Sequence, residues 1–112
     1  MKSMKEMLGE IQGNLQKFSS ETPEQMQGFQ GFMEAAEKDG AVSSKTKHLM
    51  AIACAVVSHC DWCISFHVKG ALDKGASKEE IMESAWVGVL MGGGPALMYS
   101  QYVLKAVEEM AE

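Results

Sequence analysis

Cys60-Asp61-Trp62-Cys63-Ile64-Ser65-Phe66-His67 is the stretch on which the reading of this chain turns. It has the form C-x-x-C-x-x-x-H. Around it lie Leu49, Ile52, Ala53 and Val56 on one side, and Ile64, Val68, Ala71 and Leu72 on the other. Apolar residues recurring at i, i+3, i+4 and i+7 mark helices with one buried face. At 3.6 residues per turn, positions 60, 63 and 67 fall within roughly 60° of each other around a helix. Two thiols and an imidazole on one face make a redox dithiol with a neighbouring proton acceptor.

Working outward, the pattern stays helical. Met4, Met7, Leu8, Ile11, Leu15 and Phe18 give a first amphipathic helix. Thr22-Pro23-Glu24-Gln25 reads as a helix start, with Thr22 as cap, Pro23 at the first position and Gln25 closing a capping box. Asp39-Gly40 ends that helix, with Gly40 suited to a left-handed cap. Ser43 or Ser44 caps a third helix running to about Ser58. Leu49–Val57 is apolar nearly all round, which predicts burial on most sides and a core position for Cys54. The polar Ser58-His59-Cys60-Asp61 predicts a kink or turn, placing the cysteines at a helix N-terminus. That helix stops at Gly75. Ser77-Lys78-Glu79-Glu80 is another capping box, and Gly92-Gly93-Gly94-Pro95 separates the helix it opens from a last one, about 95–110. No strand pattern or repeat competes. The expected fold is all-α: a single-domain bundle of about six helices spanning 1–112.

The composition narrows the function. In 112 residues, 46% apolar and 22% charged residues are ordinary globular values. A net charge of −5, with no basic patch, disfavours nucleic acid and anionic membrane as partners. No apolar run reaches the ~18 residues of a membrane span. Met1–Glu6 lacks the apolar core of a secretion signal, so a cytoplasmic location is expected. Three cysteines, an odd number, argue against a structural disulfide framework. The ten methionines scatter through the helices as pliable core or interface residues.

A thiol must ionise before it attacks a peroxide or disulfide. His67 lies one turn beyond Cys63 and can take that proton. Attack on a hydroperoxide leaves a sulfenic acid, which the other cysteine condenses to a disulfide. Cys63 is therefore read as the attacking thiol and Cys60 as the resolving one, although Cys60 sits nearer the helix end. A metal-binding or redox-sensing module built on the same cysteines and histidines is the alternative. Zinc on His59, Cys60, Cys63 and His67 is disfavoured, because adjacent helical residues diverge by ~100° and closed zinc sites draw ligands from separate segments. His59 reads as a turn residue. Trp62 and Phe66 line either a substrate pocket or a subunit interface. Gly92–Gly94 lacks the strand and the Lys-Ser/Thr of a phosphate loop. No metal and no cofactor is expected.

The segment 44–99 resembles the alkyl hydroperoxidase D-like core of the carboxymuconolactone decarboxylase family. The matching residues are Lys45-Thr46-Lys47-His48-Leu49-Met50-Ala51, Cys60-x-x-Cys63-x-x-x-His67, Ala71-Leu72-x-x-Gly75-Ala76-Ser77-x-Glu79-Glu80-Ile81, and Met91-Gly92-Gly93-Gly94-Pro95-Ala96. Residues 1–43 look like a divergent N-terminal extension. The resemblance implies an all-helical homo-oligomer, trimeric or hexameric. It implies antioxidant peroxidase or thiol–disulfide oxidoreductase activity through Cys60 and Cys63. A hydroperoxide or disulfide would be the substrate, and a thiol or lipoyl-type dithiol the reductant. The family also holds decarboxylases that do not use the dithiol, the alternative enzymatic reading. In the peroxidase pattern a Glu stands twelve residues before the first cysteine and joins a proton relay with the histidine. Here that place is His48, which is carried forward as the fourth candidate site residue.

Overall fold

The computed structural model describes residues 3–111, which form six helices and no strand. They are α1 (Met4–Glu21), α2 (Pro23–Glu37), α3 (Ser44–Val57), α4 (Asp61–Asp73), α5 (Lys78–Gly92) and α6 (Gly94–Met110). The all-α bundle expected from the periodicity is what the chain adopts. α3 packs between α4 and α5, and α6 closes against α4 and α5. α1 lies across α4 and α6, and α2 folds back on α1 and touches α3.

The core is where these faces meet. Ile52 and Val56 of α3, Ile64 and Val68 of α4, Ile81 of α5 and Val103 of α6 are fully buried. Each such side chain contributes roughly 1.5–3 kcal/mol relative to full exposure. Met4 and Met7 join this cluster. Ser65 on α4 donates a buried hydrogen bond to the Met4 carbonyl at 2.7 Å. The start of α1 is thereby tied into the bundle next to the candidate site.

Caps explain most of the boundaries. Ser43 Oγ accepts from the Thr46 N–H at 3.1 Å. Ser77 and Glu80 form the reciprocal capping box of α5. Gly75 (φ 89°) ends α4, and Gly93 (φ 71°) joins α5 to α6, both in the left-handed region where glycine carries no Cβ penalty. The expected Thr22–Gln25 box is not made. Thr22 Oγ1 instead donates to the Phe18 carbonyl at 2.9 Å, because Thr22 also terminates α1. Nor is Gly40 left-handed. The α2–α3 connection is held by Asp39 Oδ1, which accepts from the Ser44 N–H at 2.7 Å.

One expectation about burial is corrected. α3 is not covered on most sides: Met50, Cys54 and Val57 are exposed. With six helices packed in one bundle, α3 has neighbours for its α4- and α5-facing sides but none for its outer face. Cys54 lies in a shallow apolar hollow with Val57, Val87 and Met91, not in the core.

Candidate redox and histidine site

The polar turn between α3 and α4 sets the cysteines. Ser58 ends α3 in helical conformation, and His59 then takes φ 57°, reversing the chain. The Cys60 N–H returns to the Ala55 carbonyl at 3.0 Å. Cys60 is therefore the N-cap of α4 and not a residue of its face. Its Sγ accepts from the Cys63 N–H at 3.2 Å. Cys60 and Cys63 are joined as a disulfide, with Cα atoms 5.2 Å apart. Cys63 is exposed to solvent and Cys60 is half-buried. At this helix end the unpaired N–H groups and the dipole favour the thiolate form once the bond is reduced.

His67 follows Cys63 by one turn, with the Phe66 ring edge-on to it at 5.2 Å. Its Nδ1 lies 3.1 Å from Nδ1 of His48, so one of the two carries the shared proton and the other accepts. Burial, and then the nearby His48, lower the His67 pKa from 6.5 to about 4. The imidazole is thus neutral around pH 7.

His48 is buried in the first half of α3. It reaches His67 because α4 has Gly70 at the contact. A Cβ at position 70 would lie 2.6 Å from Cε1 and 2.7 Å from Nδ1 of His48. α3 itself is registered on α5 by the Lys45–Glu80 ion pair at 3.0 Å. The Ser77 backbone hydrogen bond and then Lys45 hold the Glu80 carboxyl below its usual value.

The structure thus brings Cys60 to Cys63 and His48 to His67, with Cys63 and His67 one turn apart on α4. Two contributors escaped sequence reading. One is Gly70, which looked like an ordinary helical glycine. The other is Glu37, the last residue of α2, whose carboxylate lies within 4.8 Å of one ring nitrogen each of His48 and His67. Nothing local at either position signals this role. His59 turns away and stacks on Tyr99, 4.7 Å between ring centres and 12° between planes. The zinc quartet weighed from sequence does not assemble. Trp62 is exposed, while Phe66 lines the cleft beside His48.

Residues 23–109 match the model of the carboxymuconolactone decarboxylase family. The chain belongs to that family. The match extends beyond 44–99 and takes in α2, which carries Glu37. Among solved structures, apo-lpg0406, a carboxymuconolactone decarboxylase family protein from Legionella pneumophila, superposes with a TM-score of 0.93 and 42% identity over 97% of both chains. A family protein from Thermotoga maritima, for which involvement in antioxidative response has been suggested, gives 0.82 at 27% identity, covering 92% of this chain and 88% of its own. An uncharacterised protein of Cupriavidus necator is 38% identical over 101 residues, 90% of this chain and 89% of its own length. The family's alkyl hydroperoxidase D-like helical core is therefore the setting of this cysteine–histidine site.

Proposed function

We propose that this chain is an antioxidant oxidoreductase that reduces hydroperoxides, or disulfides, through the Cys60–Cys63 dithiol. The observation that carries the reading is the disulfide at the N-terminus of α4, open to solvent at Cys63 and followed one turn later by His67. The suggested antioxidative role of the Thermotoga maritima relative supports the same reading.

In the reduced protein, His67 takes the Cys63 proton. The Cys63 thiolate attacks one peroxide oxygen, the O–O bond breaks, and the alkoxide leaves with the proton held by His67. Cys63 is then a sulfenic acid. Cys60 then attacks its sulfur, the S–O bond breaks, and the disulfide forms as the departing hydroxide takes the Cys60 thiol proton and leaves as water. A two-electron dithiol reductant, of thiol or lipoyl type, returns both sulfurs to the reduced state by exchange. His48 orients His67 and passes the proton toward the cleft. Such recycling needs a reducing compartment, and we place the protein in the cytoplasm. No helix among the described residues is long and apolar enough to cross a membrane.

The test is peroxide consumption with dithiothreitol as reductant. Cys63→Ser should abolish turnover. Cys60→Ser should stop at a sulfenic acid that dimedone traps on Cys63. Wild-type turnover in the double variant Cys60→Ser/Cys63→Ser would sink the proposal and return the family's decarboxylase chemistry to the front. Trapping on Cys60 in the Cys63→Ser protein would reverse the two cysteine roles.

A further inference from the structure

Glu37, His48 and His67 come from three helices, yet their donor atoms converge. Among the described residues they are the one group of three or more metal-ligating side chains whose donor atoms all lie within 4.8 Å of one another. The dithiol chemistry makes no use of Glu37.

The spacing suits an ion. The two Nδ1 atoms face each other at 3.1 Å. Two imidazole nitrogens held at 2.0–2.1 Å from one tetrahedral zinc stand roughly 3.3 Å apart. A shift of a few tenths of an ångström, on the order of ordinary thermal displacement, opens the pair for an ion. His48 is built in rather than loosely placed, since it is buried and α4 keeps Gly70 where a Cβ would collide with the ring. Glu37 is half-buried at a helix end, on a flexible stem that can close the remaining distance. A cleft of about 300 Å³, bordered by Leu8, Gln12, Glu37, His48 and Phe66, offers a route in from solvent.

We propose that Glu37, His48 and His67 bind a divalent transition-metal ion of the zinc type, leaving one coordination position open toward the cleft for water or an anion. Two imidazoles and a carboxylate favour zinc, cobalt or iron over magnesium or calcium, which prefer all-oxygen shells. The site needs neither sulfur, although it shares His48 and His67 with the proposed proton relay, so an ion held there would take the place of the hydrogen bond between them.

The experiment is calorimetric titration of zinc sulfate into the full chain, stripped with chelator, carrying Cys54→Ser and with Cys60–Cys63 oxidised so that no thiolate competes. One ion per chain is expected. Glu37→Gln should weaken binding at least roughly tenfold, as loss of even an outer partner does. His48→Gln should abolish it, and Cys60→Ser/Cys63→Ser should leave it unchanged. Cobalt(II) in place of zinc should show visible ligand-field bands that change with Glu37→Gln. Absence of saturable binding, or binding equal to that of the parent in Glu37→Gln, would overturn the site. If circular dichroism shows His48→Gln unfolded, Glu37→Gln decides, since its side chain is half-buried and outside the core. Zinc binding that persists while peroxide turnover fails would leave this site standing and remove only the dithiol reading.

Discussion

His67 concentrates the residue-scale chemistry. Its pKa of about 4 in the folded chain lies below the ordinary 6.5. Above pH 6.5 both folded and unfolded imidazoles are neutral. Between 6.5 and 4 the unfolded chain binds a proton that the folded one refuses, so stability falls as the pH drops through that window. Urea midpoints measured from pH 7 to pH 4 should decline, and the decline should be shallower in His67→Gln. The same neutrality bears on catalysis. His67→Ala should slow thiol oxidation by on the order of 10²–10⁴, the usual cost of a lost general base. His48→Ala should slow it less. His48→Glu should preserve or raise the peroxide rate, because a carboxylate facing His67 stabilises the imidazolium formed when it takes the thiol proton. Rates across pH 5–9 on folded protein check all three. An inactive His48→Glu beside a normal His48→Ala would remove residue 48 from the relay.

Among the helices, the contact of α3 with α4 matters most, because it makes the histidine pair. Gly70 is its determinant. Gly70→Ala gains helix propensity but drives a methyl into the His48 ring. Overpacking of this kind typically costs about 1–3 kcal/mol. We expect Gly70→Ala to lower the thermal midpoint and to slow thiol oxidation while leaving the Cys60–Cys63 disulfide able to form. A variant as stable and as fast as the parent would show that His48 has room to move. At the start of α5, Ser77→Ala removes one half of its capping box. It should cost about 1 kcal/mol with no effect on the cysteines, which makes it a control for stability alone.

For the whole molecule, the outer apolar surface is the unresolved cost. Leu90 is 78% exposed and Met91 77%, beside exposed Met50, Val57 and Val87 of the α3–α5 face. The α1–α2 hairpin adds exposed Phe18, Phe29 and Phe32. Contiguous apolar surface of this kind marks association sites. We propose that the chain works as a homo-oligomer, trimeric or hexameric, that covers these faces. Sedimentation equilibrium at micromolar concentration should give a multiple of 12.2 kDa, and Leu90→Glu/Met91→Glu should reduce it. Cys54, exposed in the single chain, should then react slowly with thiol reagents in the parent and quickly in that variant. A parent protein of monomer mass would dispose of the idea.

Much of this architecture was present in the sequence itself. Helical periods, Ser43, the Ser77–Glu80 box and Gly75 are local signals, and local hydrogen bonding is enough to honour them. The C-x-x-C at a helix start was legible for the same reason, because a polar turn before an apolar stripe has few other conformations. What failed were features that depend on neighbours. Thr22 bonds backward because α1 runs straight into it. Cys54 is outside because it stands at the rim of the α3–α5 seam, in a hollow that no further helix among the described residues covers. Tertiary structure alone decided that Glu37, eleven residues before His48 and thirty before His67, would arrive beside both. Its approach depends on how α2 turns back after α1 and on how α3 seats against Gly70. Neither is encoded by any pattern at position 37, since convergence of three helices is a property of their packing and not of the residues that happen to meet.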